Sequence, residues 1–147
     1  MLLAVVVNHL RRIPAASGAP AWLGLARAMG AAFTATLLVS AALRGVIAHL
    51  VDRMDQPLPA LDVLRYSTAL NYTLLDLPVM TTLALTIAAI SVVALRTAAL
   101  PRWIGYIGPG AALVIALAVV AQIGAYSIPA ALLWAVCLSV ALWRRPA

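Results

Sequence analysis

A chain of 147 residues that is 65% hydrophobic and 10% charged departs from the water-soluble pattern, which runs to about 45–50% apolar and about 25% charged. A soluble fold of this size leaves too much surface in water to hide that much apolar side chain, so a bilayer is the expected solvent and one bundle the expected domain count. Ten Arg face four Asp, with no Lys or Glu, for a net charge of +6; the Arg residues bracket apolar runs and form no continuous basic face, which argues against nucleic acid and for anionic lipid headgroups as counterions.

A spanning helix needs about 20 mostly apolar residues to cross a hydrocarbon core ~30 Å thick. Met1–Leu10 is apolar but too short, ends at Arg11-Arg12, and lacks the basic start of a secretory signal. Two readings stand for residues 1–12. One is an interfacial half-helix. The other, favoured because the Arg pair resembles a cytoplasmic stop, is the tail of a helix that begins upstream. Residues 13–21, with Pro14, Ser17, Gly18 and Pro20, read as a loop.

Four segments are long and apolar enough to span. The first covers residues 26–51 and carries Arg44; the second covers 67–95, with Asp76 and then Pro78 inside it. Between them, 52–66 is the one longer loop. Pro57 and Pro59 stop the first helix there, and Leu61 and Leu64 recur at helical spacing, as in a short interfacial helix leading into the second span. The charge-free stretch from Trp103 to Trp143 is too long for one span and must fold back near Gly124, Ser127 and Pro129, giving spans over 103–123 and 125–143. The expected fold is all-α: a transmembrane bundle of four spanning helices with an N-terminal partial helix.

Passage through four spans gathers Arg11, Arg12, Arg27, Arg96, Arg102, Arg144 and Arg145 on one side. Arg53, Arg65, Asp52, Asp55 and Asp62 fall on the other. The positive-inside rule makes the first side cytoplasmic, so the Arg-rich links and the C-terminus face the cytoplasm of a cell with this protein in its plasma membrane. Trp22, Trp103 and Trp143 fall at inner boundaries and Tyr66, Tyr72 and Tyr126 near outer ones, where amphipathic rings are favoured. Small residues recur every four positions at Ala28, Ala32, Thr36 and Ser40, and at Gly108, Ala112 and Ala116. Such stripes let helix backbones approach, although an Ala-rich chain produces them without a special partner.

Few side chains here can carry chemistry. A charge inside the bilayer costs about 2.5–3.5 kcal/mol on insertion scales, which singles out Asp76 and Arg44. Both lie near the outer ends of sequential, antiparallel spans, so an ion pair between them is expected. In a transporter Asp76 is a proton or cation site; in a structural role the pair fixes helix register. Asn71, Thr82 and Thr86 add polar groups along the second span, either as a polar path or as side chains bonded to their own backbone. Pro78, and Pro109 between Gly108 and Gly110, are expected to kink their helices. His9 and His49 fall on opposite sides and share no metal motif, Cys137 is the single cysteine, and no nucleophile elbow or phosphate-binding glycine loop is present. No catalytic residue, metal or cofactor is therefore expected.

The stretch from Val93 to Gly108 (Val-Ala-Leu-Arg-Thr-Ala-Ala-Leu-Pro-Arg-Trp-Ile-Gly-Tyr-Ile-Gly) and the closing Leu-Trp-Arg-Arg-Pro, ending at Pro146, resemble uncharacterised multi-pass membrane proteins of high-GC Gram-positive (actinobacterial) bacteria with a domain of unknown function. There a helix ends in Leu-Arg, a link carries Leu-Pro-Arg-Trp, and a Gly-rich helix follows. The resemblance spans roughly the last hundred residues. It implies a further helix ahead of the first span and carries over no activity. The expected function is a non-enzymatic subunit, anchor or sensor acting through membrane lipids, a protein partner or a second copy. The alternative is a small transporter or channel subunit using Asp76.

Overall fold

The computed structural model describes residues 19–97 and 100–143. The expected partial helix over 1–12, His9, and the Arg residues at 11, 12, 144 and 145 lie outside them. The described residues form helices and connecting turns, and four helices are long and apolar enough to cross a membrane. Helix α1 is Ala19–Asp52 and α2 is Leu61–Thr97. Helix α3 is Arg102–Val120, and α4 is Gly124–Trp143, opening with a 3-10 turn at Gly124–Ser127.

These boundaries follow local chemistry. Helix α1 starts at Ala19, ahead of residue 26, so it takes in Trp22 and the last three residues, 19–21, of the expected loop; Pro20 falls in its first turn, where proline is tolerated, and nothing between Ala21 and Ala26 breaks a helix. Its end coincides with the first cluster of charge, and the chain leaves helical geometry before Pro57 and Pro59. The loop expected over 52–66 is narrower than that. Helix resumes at Leu61 and runs unbroken into the second span, so the short helix expected ahead of that span is its first part. Helix α3 continues through Pro109 and closes with Gln122 in the left-handed region (φ 58°). The Gln122 and Ile123 amides donate to the Val119 and Ala118 carbonyls at 3.0 and 2.9 Å, the paired closure that satisfies a helix's last carbonyls.

Successive helices run antiparallel. Helix α2 is the centre: 56% of its apolar window is buried, against 6% for α1, 28% for α3 and 22% for α4. Its C-terminal half supplies Ile87, Ile90, Val93 and Ala94, all within 1% of full burial, which meet Ile104 and Ile115 of α3 and Leu138 of α4 in one core. Helix α1 lies on the outside of α2 through Ala26 and Gly30, and Arg96 sits over the Trp22 ring at 5.9 Å to tie their ends together.

Backbone approach follows the small residues only in part. In α3, Gly108 and Ala112 are buried, but Ala116 is exposed. In α1, Ser40 is buried, Ala32 and Thr36 are half-buried, and Ala28 is exposed. The tightest point is Gly108. A Cβ there would overlap the Ser91 hydroxyl and stand 2.9 Å from the Ser91 Cβ and 3.1 Å from Nε1 of Trp134. Absence of a side chain thus lets α2, α3 and α4 converge at one level.

Helix lengths are unequal. At 1.5 Å per residue, α3 (19 residues) and α4 (20 residues) are roughly 30 Å long and match a hydrocarbon core. Helix α1 (34 residues) and α2 (37 residues) reach roughly 50 Å or more.

If Gly108 sets the helix spacing, Gly108→Ala lowers stability in detergent by about 1–3 kcal/mol. Adding Ser91→Gly restores most of it, because the opposing Cβ is removed. Thermal unfolding of the two variants checks this, and a wild-type melting curve for Gly108→Ala counts against it.

Candidate functional site

Two clusters of polar side chains lie toward the end where α3 turns into α4, while buried Ser91 is bonded to the Ile87 carbonyl of its own helix at 2.7 Å. The first is built around Asp76. Residues Leu75–Val79 form a π turn within α2, with Pro78 inside it. Proline lacks the amide hydrogen that a regular ladder needs, and the wider turn is the form taken by the kink expected at Pro78. Thr82 Oγ1 donates to the Pro78 and Val79 carbonyls at 2.7 and 3.0 Å, and Thr86 Oγ1 donates to the Thr82 carbonyl at 2.7 Å. Both hydroxyls are spent on their own helix.

Asp76 is bonded to the α3–α4 turn. Its Oδ1 accepts from the Ala125 amide at 2.7 Å. Ala125 lies in the first turn of α4, where amides have no partner in their own helix. The carboxylate is an N-cap supplied by a different helix, with its negative charge at the favourable end of the α4 dipole. Gly124 makes this contact sterically accessible, since a Cβ there would stand 2.7 Å from the Asp76 carbonyl oxygen, a backbone atom. Ser127 Oγ donates to the Gly124 carbonyl at 2.6 Å and closes the turn from its other side.

The second place lies between α1 and α2. Asn71 is 7% exposed and Ser40 is 2% exposed. With the Asn71 amide oriented to satisfy its neighbours, its nitrogen donates to Ser40 Oγ at 2.6 Å and to the Ser40 carbonyl at 3.0 Å. Its oxygen then accepts from Arg44 Nε at 2.7 Å. The orientation follows from the network, because the reverse one sets amide hydrogens against a guanidinium.

The ion pair expected between Asp76 and Arg44 does not form. The two lie on different sides of α2: one faces the α3–α4 turn, and the other reaches Asn71 a helical turn and more away. Among the described residues the one ion pair is Arg65 with Asp62 at 3.8 Å, and both are solvent-exposed. Such pairs contribute little to stability. No group of three His, Cys, Asp or Glu among the described residues is placed to hold a metal. Two buried donors, Arg27 Nε and Trp134 Nε1, have no acceptor among those residues.

Sequence reasoning singled out Asp76, Arg44, Asn71, Thr82 and Thr86. The structure joins Arg44 to Asn71, and Thr86 to Thr82, and gives Asp76 a partner of its own. The residues missed were Ala125 and Ser40. Ala125 contributes a backbone amide, which has no sequence signal. Ser40 stands in the sequence as a small residue of a stripe, with no signal of a hydrogen-bond partner.

Compared with family models, with curated proteins and with solved structures, the chain matches none of them.

The Asp76 contact makes a graded prediction. Asp76→Ala should lower stability by about 1.5–3 kcal/mol, the scale of a hydrogen bond to a charged group. Asp76→Asn keeps an acceptor oxygen and should lose less than about 1.5 kcal/mol. Denaturant titration in a fixed detergent measures both, and equal losses would show that the acceptor is not what matters.

Proposed function

We propose that this chain is a non-enzymatic subunit, anchor or sensor of the cell membrane that acts through contact with protein or lipid partners. What supports it most is the unequal reach of its two hairpins. The α3–α4 turn meets α2 at Asp76, so the stretch Leu61–Leu75 extends roughly 22 Å beyond it. The matching half of α1 extends with it. That projecting hairpin carries exposed Leu38, Val39, Val46, Leu61, Val63 and Tyr66. These apolar side chains are exposed past the shorter helices, interspersed with the charges of Asp62 and Arg65, and exposed apolar surface rimmed by polar residues marks contact sites.

The transporter reading draws less support. Asp76 has a fixed partner, and the Thr82 and Thr86 hydroxyls are held by backbone carbonyls, so the polar groups of α2 do not line a shared path. In this proposal the end with Arg27, Arg96 and Arg102 is cytoplasmic and the projecting hairpin faces outward, on the positive-inside rule. Kinship with the actinobacterial multi-pass proteins, read from Val93–Gly108, belongs to the same proposal.

The test is a photo-crosslinking residue in place of Val63, in native membranes, with one in place of Val136 on α4 as the comparison. Specific adducts, to one protein or one lipid class, are expected at Val63, and bulk lipid alone at Val136. The same nonspecific lipid labelling at both positions would defeat the proposal. A separate measurement, proton or cation flux in vesicles with Asp76→Asn, should show no difference from wild type; lost flux with an intact fold would favour transport.

A further inference from the structure

We propose that the crevice between α1 and α2 at Arg44 binds the phosphate of an anionic phospholipid headgroup. The inference deepens the reading above and rests on its placement of the bundle in a membrane.

The crevice is about 290 Å³ and is lined by Arg44, Asn71, Ser67 and Tyr72 on its polar side and by Leu43 and Ile47 on its apolar side. That volume is close to the small end of ligand sites. Arg44 is held in it by construction. Its Nε is bound to the Asn71 oxygen, and Asn71 is in turn anchored by two bonds to Ser40 in the buried seam. A guanidinium fixed through Nε keeps its orientation while its terminal nitrogens stay open. No carboxylate lies within ion-pair distance of it among the described residues. Asp76, the acid expected to neutralise it, is engaged with Ala125.

A cation held at a membrane boundary without a counterion calls for one from outside the chain. The level is right for a headgroup. From Trp22, at the opposite belt, α1 rises for 22 residues to Arg44, roughly 33 Å at 1.5 Å per residue, against a hydrocarbon core ~30 Å thick. The shape is right as well. The planar guanidinium offers paired donors that match phosphate oxygens, and Tyr72 lines the same crevice. Leu43 and Ile47 make part of the same crevice wall apolar, which suits an amphipathic lipid better than a fully hydrated free anion.

Asn71 is a positioning residue here, since it acts on the ligand through Arg44. The projecting hairpin thereby gains a lipid at its base, where the crosslinking surface described above leaves the bilayer.

The test uses the purified full chain in detergent, with phosphatidylglycerol or phosphatidylcholine added and retained lipid read by native mass spectrometry. Wild type should retain phosphatidylglycerol in preference. Arg44→Gln should weaken that retention roughly tenfold, to the phosphatidylcholine level, while helicity and melting are checked on the same sample. Should Arg44→Gln fail to fold, Arg44→Lys keeps the charge but loses the planar fork, and a drop of roughly threefold or more is expected. Asn71→Ala should fall between wild type and Arg44→Gln.

A folded Arg44→Gln that retains phosphatidylglycerol like wild type overturns the proposal. So does a site that binds inorganic phosphate and ignores the lipid, which would make the ligand a free anion. The assay contains no partner protein, so its failure is separate from a failed crosslink at Val63. Loss of the membrane premise would show independently, as protein that stays folded and monodisperse without detergent.

Discussion

Lipid tails accept and donate no hydrogen bonds, so every backbone group that leaves a helical ladder in the bilayer must find its partner within the protein. The demand extends to the boundary where α3 gives way to α4, because a reversal frees the last carbonyls of one helix and the first amides of the next. The carbonyls are met locally, by the left-handed closure at Gln122. The Ala125 amide is met from another helix, by Asp76, and the contact is reachable because Gly124 presents no side chain to the Asp76 backbone. Charge, π turn and glycine thus act as one device that pins the short hairpin to the middle of α2.

The architecture follows from where that pin sits. Below it, α2 is enclosed by α1, α3 and α4, and Gly108 lets their backbones converge on Ser91 and Trp134. Above it, among the described residues, α1 and the first part of α2 pack mainly on each other. They meet through a polar cluster of Ser40, Asn71 and Arg44, with Leu43 and Ile47 beside it. Two packing regimes are stacked along one axis, and the proposed contacts with protein and lipid belong to the sparser of them.

Composition and hydropathy already pointed to four spans, because the bilayer's thickness is a length that any chain must match and apolar runs record it directly. Proline and charge marked the loop between the first two. The boundaries shifted where a local signal was weak: nothing in Leu23–Ala26 stops a helix, and Leu61 onward is as helical outside a span as within one. The site was legible as a set of residues and illegible as a set of pairs. Asp76 and Arg44 stand out as charges in apolar sequence, and sequential antiparallel helices invite pairing them.

What the sequence determined by itself was the solvent and the count of helices, since both depend on how many apolar residues run together. Only the tertiary structure decided which way each charge faces. A side chain's direction depends on the rotation of its helix about its own axis. Here that rotation is set by contacts at Gly108 and Gly124, whose partners lie 17 and 48 residues away in the chain. The carboxylate consequently went to a backbone amide, which every residue but proline carries and no sequence pattern distinguishes.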